Sequence, residues 1–235
     1  MAKPKVLIIV TSHAQLGSTG QKTGFWLEEL AVPYNEFVRG GAEVHIASPL
    51  GGRPPVDPKS ANSDNPEVKA FLADAEAQRK LNQTLTIPPV DTTYDAYFVA
   101  GGHGVMWDLA VDERLQGTLA AAFEAGKVVA AVCHGPAALV GARLKSGQPL
   151  VAGRRLAAFS DEEETAVGLD KVMPFLLESK LKAAGARYER GPTWSSFAVV
   201  DGGLVTGQNP ASSLAVAQQA LALLATPVAR AKVAS

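Results

Sequence analysis

The chain has 235 residues, 47% hydrophobic and 19% charged, with a formal net charge of -1 at pH 7. That is enough to bury a full core in one domain, predicted here to span residues 1–235. The charge balance, with no cluster of Lys or Arg, excludes nucleic acid and anionic membranes as partners. The single cysteine, Cys133, excludes an internal disulfide and any multi-cysteine metal site, and fits a reducing compartment. The first apolar run, Val6 to Val10, is too short to span a membrane and carries no cleavage pattern, so a cytoplasmic protein is predicted.

Val6 to Val10 is β-branched and apolar throughout and reads as a central parallel strand. Thr11 to Lys22 is a polar loop. Phe25 to Val38 carries Trp26, Leu30, Tyr34 and Phe37 at helical spacing, with Pro33 expected to kink or restart the helix. Ala42 to Ser48 is the second strand. Residues 51–89 form an excursion: a Pro/Gly/Asp/Asn-rich loop, then one charged helix over Pro66 to Leu81, placed where it could cover the site. Tyr94 to Ala100 is a strand ending in Gly101-Gly102-His103-Gly104, and Leu109 to Ala125 a helix. Lys127 to Val132 is a buried strand, and Pro136 to Leu144 a helix opened by its proline.

Short strands follow over Arg154 to Phe159, Ala186 to Arg190, Phe197 to Val200 and Leu204 to Gly207. Ser160-Asp161-Glu162-Glu163 has capping-box spacing and starts a helix. Phe175 to Ala184 is helical, Asn209-Pro210 opens a last helix over Ala211 to Leu224, and the tail from Pro227 is expected to be loose. Strands alternating with helices predict an α/β fold, a mostly parallel central sheet with helices on both faces.

Cys133 stands at a strand end, immediately before His134-Gly135-Pro136. A lone cysteine is usually a small core residue. A sharp strand-to-helix turn, however, lifts a side chain to the carboxyl edge of the sheet, and the following helix dipole should favour its thiolate. A nucleophile needs a base and an oxyanion hole. The base must be His134, His103 or His13, since His45 lies inside a strand. The backbone N–H groups of Gly102 and His134 are the candidate hole. One of Glu28 and Glu29 could point at the sulfur. One of Glu162, Glu163 and Glu164 could orient a histidine, the others being capping or solvated residues.

Five segments, K-V-L-I-I-V-T-S, T-G-F-W-L-E-E-L-A-V-P-Y, F-V-A-G-G-H-G-V-M-W-D-L, A-V-C-H-G-P-A-A-L and V-T-G-Q-N-P-A-S-S, together resemble the ThiJ/PfpI superfamily. Within it they are most similar to the heat-shock-protein-31-type, glyoxalase III branch. The resemblance implies a flavodoxin-like, class I glutamine amidotransferase-like sandwich. It implies Cys133 as nucleophile, His134 as its partner, Glu29 as the glutamate bonded to the cysteine, Glu164 as the acid orienting the histidine, and Gly102 and His134 as the oxyanion hole. It further implies conversion of methylglyoxal and related 2-oxoaldehydes to 2-hydroxy acids (a lyase of the D-lactate dehydratase type) without cofactor, metal or glutathione, by a homodimer. A cysteine hydrolase, and a stress-response holdase chaperone, deglycase or redox sensor, are the alternatives that the superfamily also suggests. The glutaminase pattern, a small residue after the cysteine and a distant His-x-Glu, is missing.

Overall fold

The computed structural model describes residues 3–87 and 89–226; the tail expected to be loose from Pro227 lies outside them. Apolar runs become strands: β1 (Lys5–Ile9), β2 (Glu43–Ser48) and, at the end of the excursion, the short β3 (Leu85–Thr86). β4 (Ala96–Val99) and β5 (Val128–Val132) follow. Between β1 and β2 runs α1 (Leu27–Arg39), continuous through Pro33, where a kink or restart was expected. The proline leaves only the Glu29 carbonyl without its usual donor, so the amphipathic face outweighs one missing hydrogen bond.

The helix expected over Pro66 to Leu81 is two, α2 (Pro66–Ala73) and α3 (Ala75–Asn82). Asp74 separates them because its carboxylate caps α3, accepting from the N–H groups of Glu76 (2.8 Å) and Ala77 (3.1 Å). α4 spans Glu113–Glu124, starting later than Leu109 because Asp112 caps it. After β5 no α-helix forms. Gly135–Leu139 is one short turn of 3-10 helix, and the chain reverses so that Leu150 N–H bonds the Ala142 carbonyl (2.8 Å).

β6 (Arg155–Leu156) pairs with β7 (Arg187–Tyr188) in a separate two-stranded sheet, so the strand expected over Ala186 to Arg190 is short and peripheral. Between them lie α5 (Asp161–Ala166), opened by the expected Ser160–Glu163 capping box, and α6 (Leu177–Ala183). The chain closes with β8 (Ala198–Asp201), β9 (Leu204–Gly207) and α7 (Ser213–Ala225).

The central sheet has seven strands in the order β3-β2-β1-β4-β5-β9-β8, parallel except for the β8–β9 hairpin. Helices cover both faces, as the alternation predicted. Alternate residues of β1 divide between two apolar layers: Val6 and Ile8 pack with residues of α1, α2, α3 and α7, and Leu7 and Ile9 with residues of α4 and α6. The parallel arrangement puts the carboxyl ends of β1, β4, β5 and β9 along one edge.

Phe98, fully buried in β4, meets Phe37 of α1 edge-on, ring centroids 5.8 Å apart. Phe98→Ala should therefore cost about 3–5 kcal/mol of stability, read as a lower urea midpoint at unchanged slope.

Candidate active site

Cys133 follows β5 directly, and its backbone is left-handed, with φ of 60°. A non-glycine residue rarely adopts this conformation, and it persists only where surrounding bonds hold it. Here the Cys133 N–H donates to the Gly207 carbonyl (2.9 Å), extending the β9 ladder, and the Cys133 carbonyl accepts from Phe159 N–H (2.9 Å). The side chain is thereby raised at the sheet edge, 4% exposed.

The strand end of β4 lies alongside. Gly101 accepts the Trp26 N–H on its carbonyl (3.1 Å). Because the peptide is trans, this turns the Gly102 N–H to the opposite side, where it and the His134 N–H bond the Cys133 sulfur. A Cβ on Gly102 would sit 2.4 Å from the Gly24 carbonyl oxygen, and φ there is 101°, so the amide depends on glycine.

Glu29, in the first turns of α1, is fully buried. Its Oε2 accepts the Gly101 N–H (2.7 Å). Its Oε1 has no nitrogen or oxygen partner, and the carboxyl group meets the Cys133 side chain. Burial pushes the Glu29 pKa up to about 8, against its hydrogen bonds with Cys133 and the Gly101 N–H. The carboxyl is therefore protonated at neutral pH. Burial, and then the charge and hydrogen bond of Glu29, push the Cys133 thiol up as well. This corrects the expectation of a thiol lowered by a helix dipole: no α-helix follows Cys133, and desolvation dominates.

Opposite Glu29, Cys133 Sγ lies 3.3 Å from His134 Nδ1, and His134 Nε2 lies 2.7 Å from Glu164 Oε2. The other Glu164 oxygen lies 2.9 Å from His103 Nε2. Burial opposes the Glu164 carboxylate, but the two histidines outweigh it and bring its pKa to about 2. An ionised carboxylate only accepts, so both Nε2 atoms carry hydrogen. Burial, then His103, lower the His134 pKa in spite of Glu164. His134 is thus neutral, its Nδ1 lone pair facing the thiol as a base should.

The structure brings Cys133, His134, Glu29, Glu164 and Gly102 together at one edge. It separates the neighbouring acids. Glu28 borders the cavity and accepts from Asn65 Nδ2 (3.0 Å). Glu162 is exposed and pairs with Arg190. Glu163 caps α5 and is bonded away from the sulfur. His13 stacks on Trp107 and its Nε2 bonds the Gln15 carbonyl, apart from Cys133. His103, one of three candidate bases in the sequence, is a second partner of Glu164 instead. Among the described residues none of 51–89 lines the cavity over Cys133; Asn65 bonds Glu28 at its rim. Ligand atoms of His103, His134 and Glu164 lie within 4.8 Å of one another, close enough for a cation. Binding one would take the two imidazole N–H groups off the carboxylate.

The DJ-1/PfpI family model matches residues 22–223. The chain belongs to the DJ-1/PfpI family. It is 33% identical to the glutathione-independent glyoxalase HSP31 of Saccharomyces cerevisiae, over 94% of this chain and 98% of that one. It is 32% identical to glyoxalase 3 of Candida albicans, over 93% and 97%. The crystal structure of glyoxalase III from Candida albicans superposes with a TM-score of 0.86 at 31% identity, covering 94% of this chain and 97% of that one. That of the rapid encystment protein REP24 of Francisella tularensis does so at 0.91 and 34%, covering 95% and 100%. Among the described residues no helix is long and apolar enough to cross a membrane.

The Glu29 proton has a consequence for stability. Its folded pKa of about 8 lies above the ordinary 4.5. The folded state binds the extra proton, so this stabilisation is complete below pH 4.5 and is lost as pH rises through 8. Glu29→Gln should remove that decline, measured as urea stability against pH.

Proposed function

We propose that the protein is a glutathione-independent glyoxalase, converting methylglyoxal and related 2-oxoaldehydes to 2-hydroxy acids. The observation that carries the reading is Cys133 Sγ held between a protonated carboxyl, a neutral imidazole and two backbone amides. Relatives of nearly full-length similarity bear the name glyoxalase.

His134 Nδ1 takes the thiol proton as the sulfur adds to the aldehyde carbon. The new alkoxide sits on the Gly102 and His134 amides, which were aimed at the resting sulfur, and takes the proton back to give a hemithioacetal. A base then removes the hydrogen from that carbon, and the neighbouring carbonyl oxygen is protonated to an enediol. Return of the proton to the second carbon, as the hydroxyl on the sulfur-bearing carbon gives up its own proton to the base, leaves a thioester, with a hydroxyl where the ketone was. Water cleaves the thioester, releasing the 2-hydroxy acid and the free thiol. No electrons enter or leave; one carbon is oxidised as its neighbour is reduced.

Glu164 keeps the His134 hydrogen on Nε2 and so keeps Nδ1 free. Glu29 serves as an acid at the sulfur, and its proton opposes a second negative charge there. The site works with one reduced thiol, which suits a cytoplasmic location.

The test is 2-hydroxy acid formation from methylglyoxal without glutathione. Wild type should turn over and Cys133→Ala should not. Glu164→Gln, which leaves one imidazole N–H without its acceptor, should lower kcat at least about 100-fold. Turnover retained in Cys133→Ala would exclude the mechanism. Folded wild type that turns over no 2-oxoaldehyde but cleaves amides or peptides would exchange the reading for a cysteine hydrolase.

A further inference from the structure

The cavity above Cys133 is larger than methylglyoxal requires. Its volume is about 330 Å³, the space of roughly ten water molecules and within the range of about 300–1,000 Å³ that holds drug-sized ligands. Its apolar wall is a row of rings. The Phe159 ring lies 4.4 Å from that of His134, tilted by 33°. The Trp194 ring lies 5.8 Å from Phe159 at 61°, and Trp26 also lines the cavity. The row runs from the imidazole beside the sulfur outward to an indole 49% exposed to solvent.

Trp194 is held in place at a cost. Its φ is 62°, the left-handed region that a bulky residue rarely occupies. What holds it is Glu163, a fully buried carboxylate with no part in the chemistry above. Glu163 Oε1 accepts from the Trp194 N–H (2.9 Å), Gln208 Nε2 (3.0 Å) and Asn209 Nδ2 (2.8 Å). Its Oε2 is fixed by Ser160 N–H (3.1 Å) and Oγ (3.0 Å). Asn209 Nδ2 also donates to the Ser195 carbonyl (3.0 Å), fastening the next residue of the loop. So adjacent positions of α5 do separate work: Glu164 fixes the imidazoles and Glu163 fixes the loop that carries the indole. A strained, half-exposed tryptophan braced by a buried carboxylate at the mouth of an apolar cleft serves no evident packing purpose. It fits a surface kept ready for a ligand.

Resting on the glyoxalase reading, we propose that this ring row receives the substituent of the substrate. The preferred substrates are then 2-oxoaldehydes carrying an aromatic or comparably large apolar group, and Trp194 is the residue that determines the preference. The acidic Glu28 at the rim disfavours a substituent that bears a carboxylate. The reaction is unchanged: an aryl 2-oxoaldehyde and water give the aryl 2-hydroxy acid through the same thioester.

The experiment compares steady-state kcat and KM for phenylglyoxal and methylglyoxal, without glutathione, in wild type, Trp194→Gly and Trp194→Phe. Glycine removes the ring and accepts the left-handed backbone without strain; phenylalanine keeps an aromatic face. Wild type should favour phenylglyoxal in kcat/KM. Trp194→Gly should lower the ratio of the two kcat/KM values about ten-fold, chiefly through a higher KM for phenylglyoxal, and Trp194→Phe should restore most of it. The intrinsic reactivities of the two aldehydes cancel in the comparison of variant with wild type. A wild type that favours methylglyoxal, or a ratio that Trp194→Gly leaves unchanged while both aldehydes are turned over, overturns this inference alone. Absence of turnover with either aldehyde overturns it together with the glyoxalase reading.

Discussion

Glu29 is buried against the Cys133 sulfur, and the arrangement of the site follows from that. Two acidic groups in contact, both out of water, cannot both be ionised cheaply. Burial resolves the conflict by keeping a proton on the carboxyl, with a pKa of about 8. A protonated carboxyl can donate to sulfur where a carboxylate would repel it. The Gly102 and His134 amides then supply the remaining polarity at the sulfur, and the His134 Nδ1 lone pair faces it. In the proposed reaction these directed hydrogen bonds activate the sulfur, and a resting thiolate is not required.

Each partner is placed by backbone before side chain. The left-handed Cys133 exists because β9 and the Phe159 N–H bond it from both sides. The Gly102 amide faces the sulfur because the Gly101 carbonyl is tied to Trp26, at the entry to the helix that delivers Glu29. One short segment, Trp26 to Glu29, therefore sets the Gly102 amide and the Glu29 carboxyl together. Val56 bridges to Phe25 just before it, and Ser60 Oγ bonds the Leu27 N–H, so the excursion braces the site from behind.

Much of this was legible in the sequence. Uninterrupted apolar runs at Val6–Val10 and Lys127–Val132 mark strands buried on both faces, and the Ser160 capping box marks the start of α5 where it stands. Cys133, His134 and the strand-end glycines follow from the elbow pattern, whereas Glu29 and Glu164 rested on family resemblance. Other features depend on tertiary contacts that no local pattern carries. Asp74 splits a helix because its side chain prefers capping to solvent. The residues after Pro136 have helical propensity, but the chain must turn back and pack, and only a 3-10 turn forms. The capping-box spacing marks Glu163, but nothing local says which of the three acids reaches a histidine; the helix fans Glu162 to solvent, Glu163 to the Trp194 loop and Glu164 to the imidazoles. Trp194 had no signal at all, since a left-handed φ at tryptophan opposes its local preference.

Everything at the sulfur follows from Glu29 holding its proton at neutral pH. Infrared difference spectroscopy of wild type against Glu29→Gln near pH 6 reads it directly. A protonated Glu29 gives a carboxylic-acid C=O stretch in wild type that is absent from the variant and that titrates away as pH rises through about 8. A difference spectrum showing only carboxylate bands at that pH would contradict it, and with it the assignment of Glu29 as the acid at the sulfur.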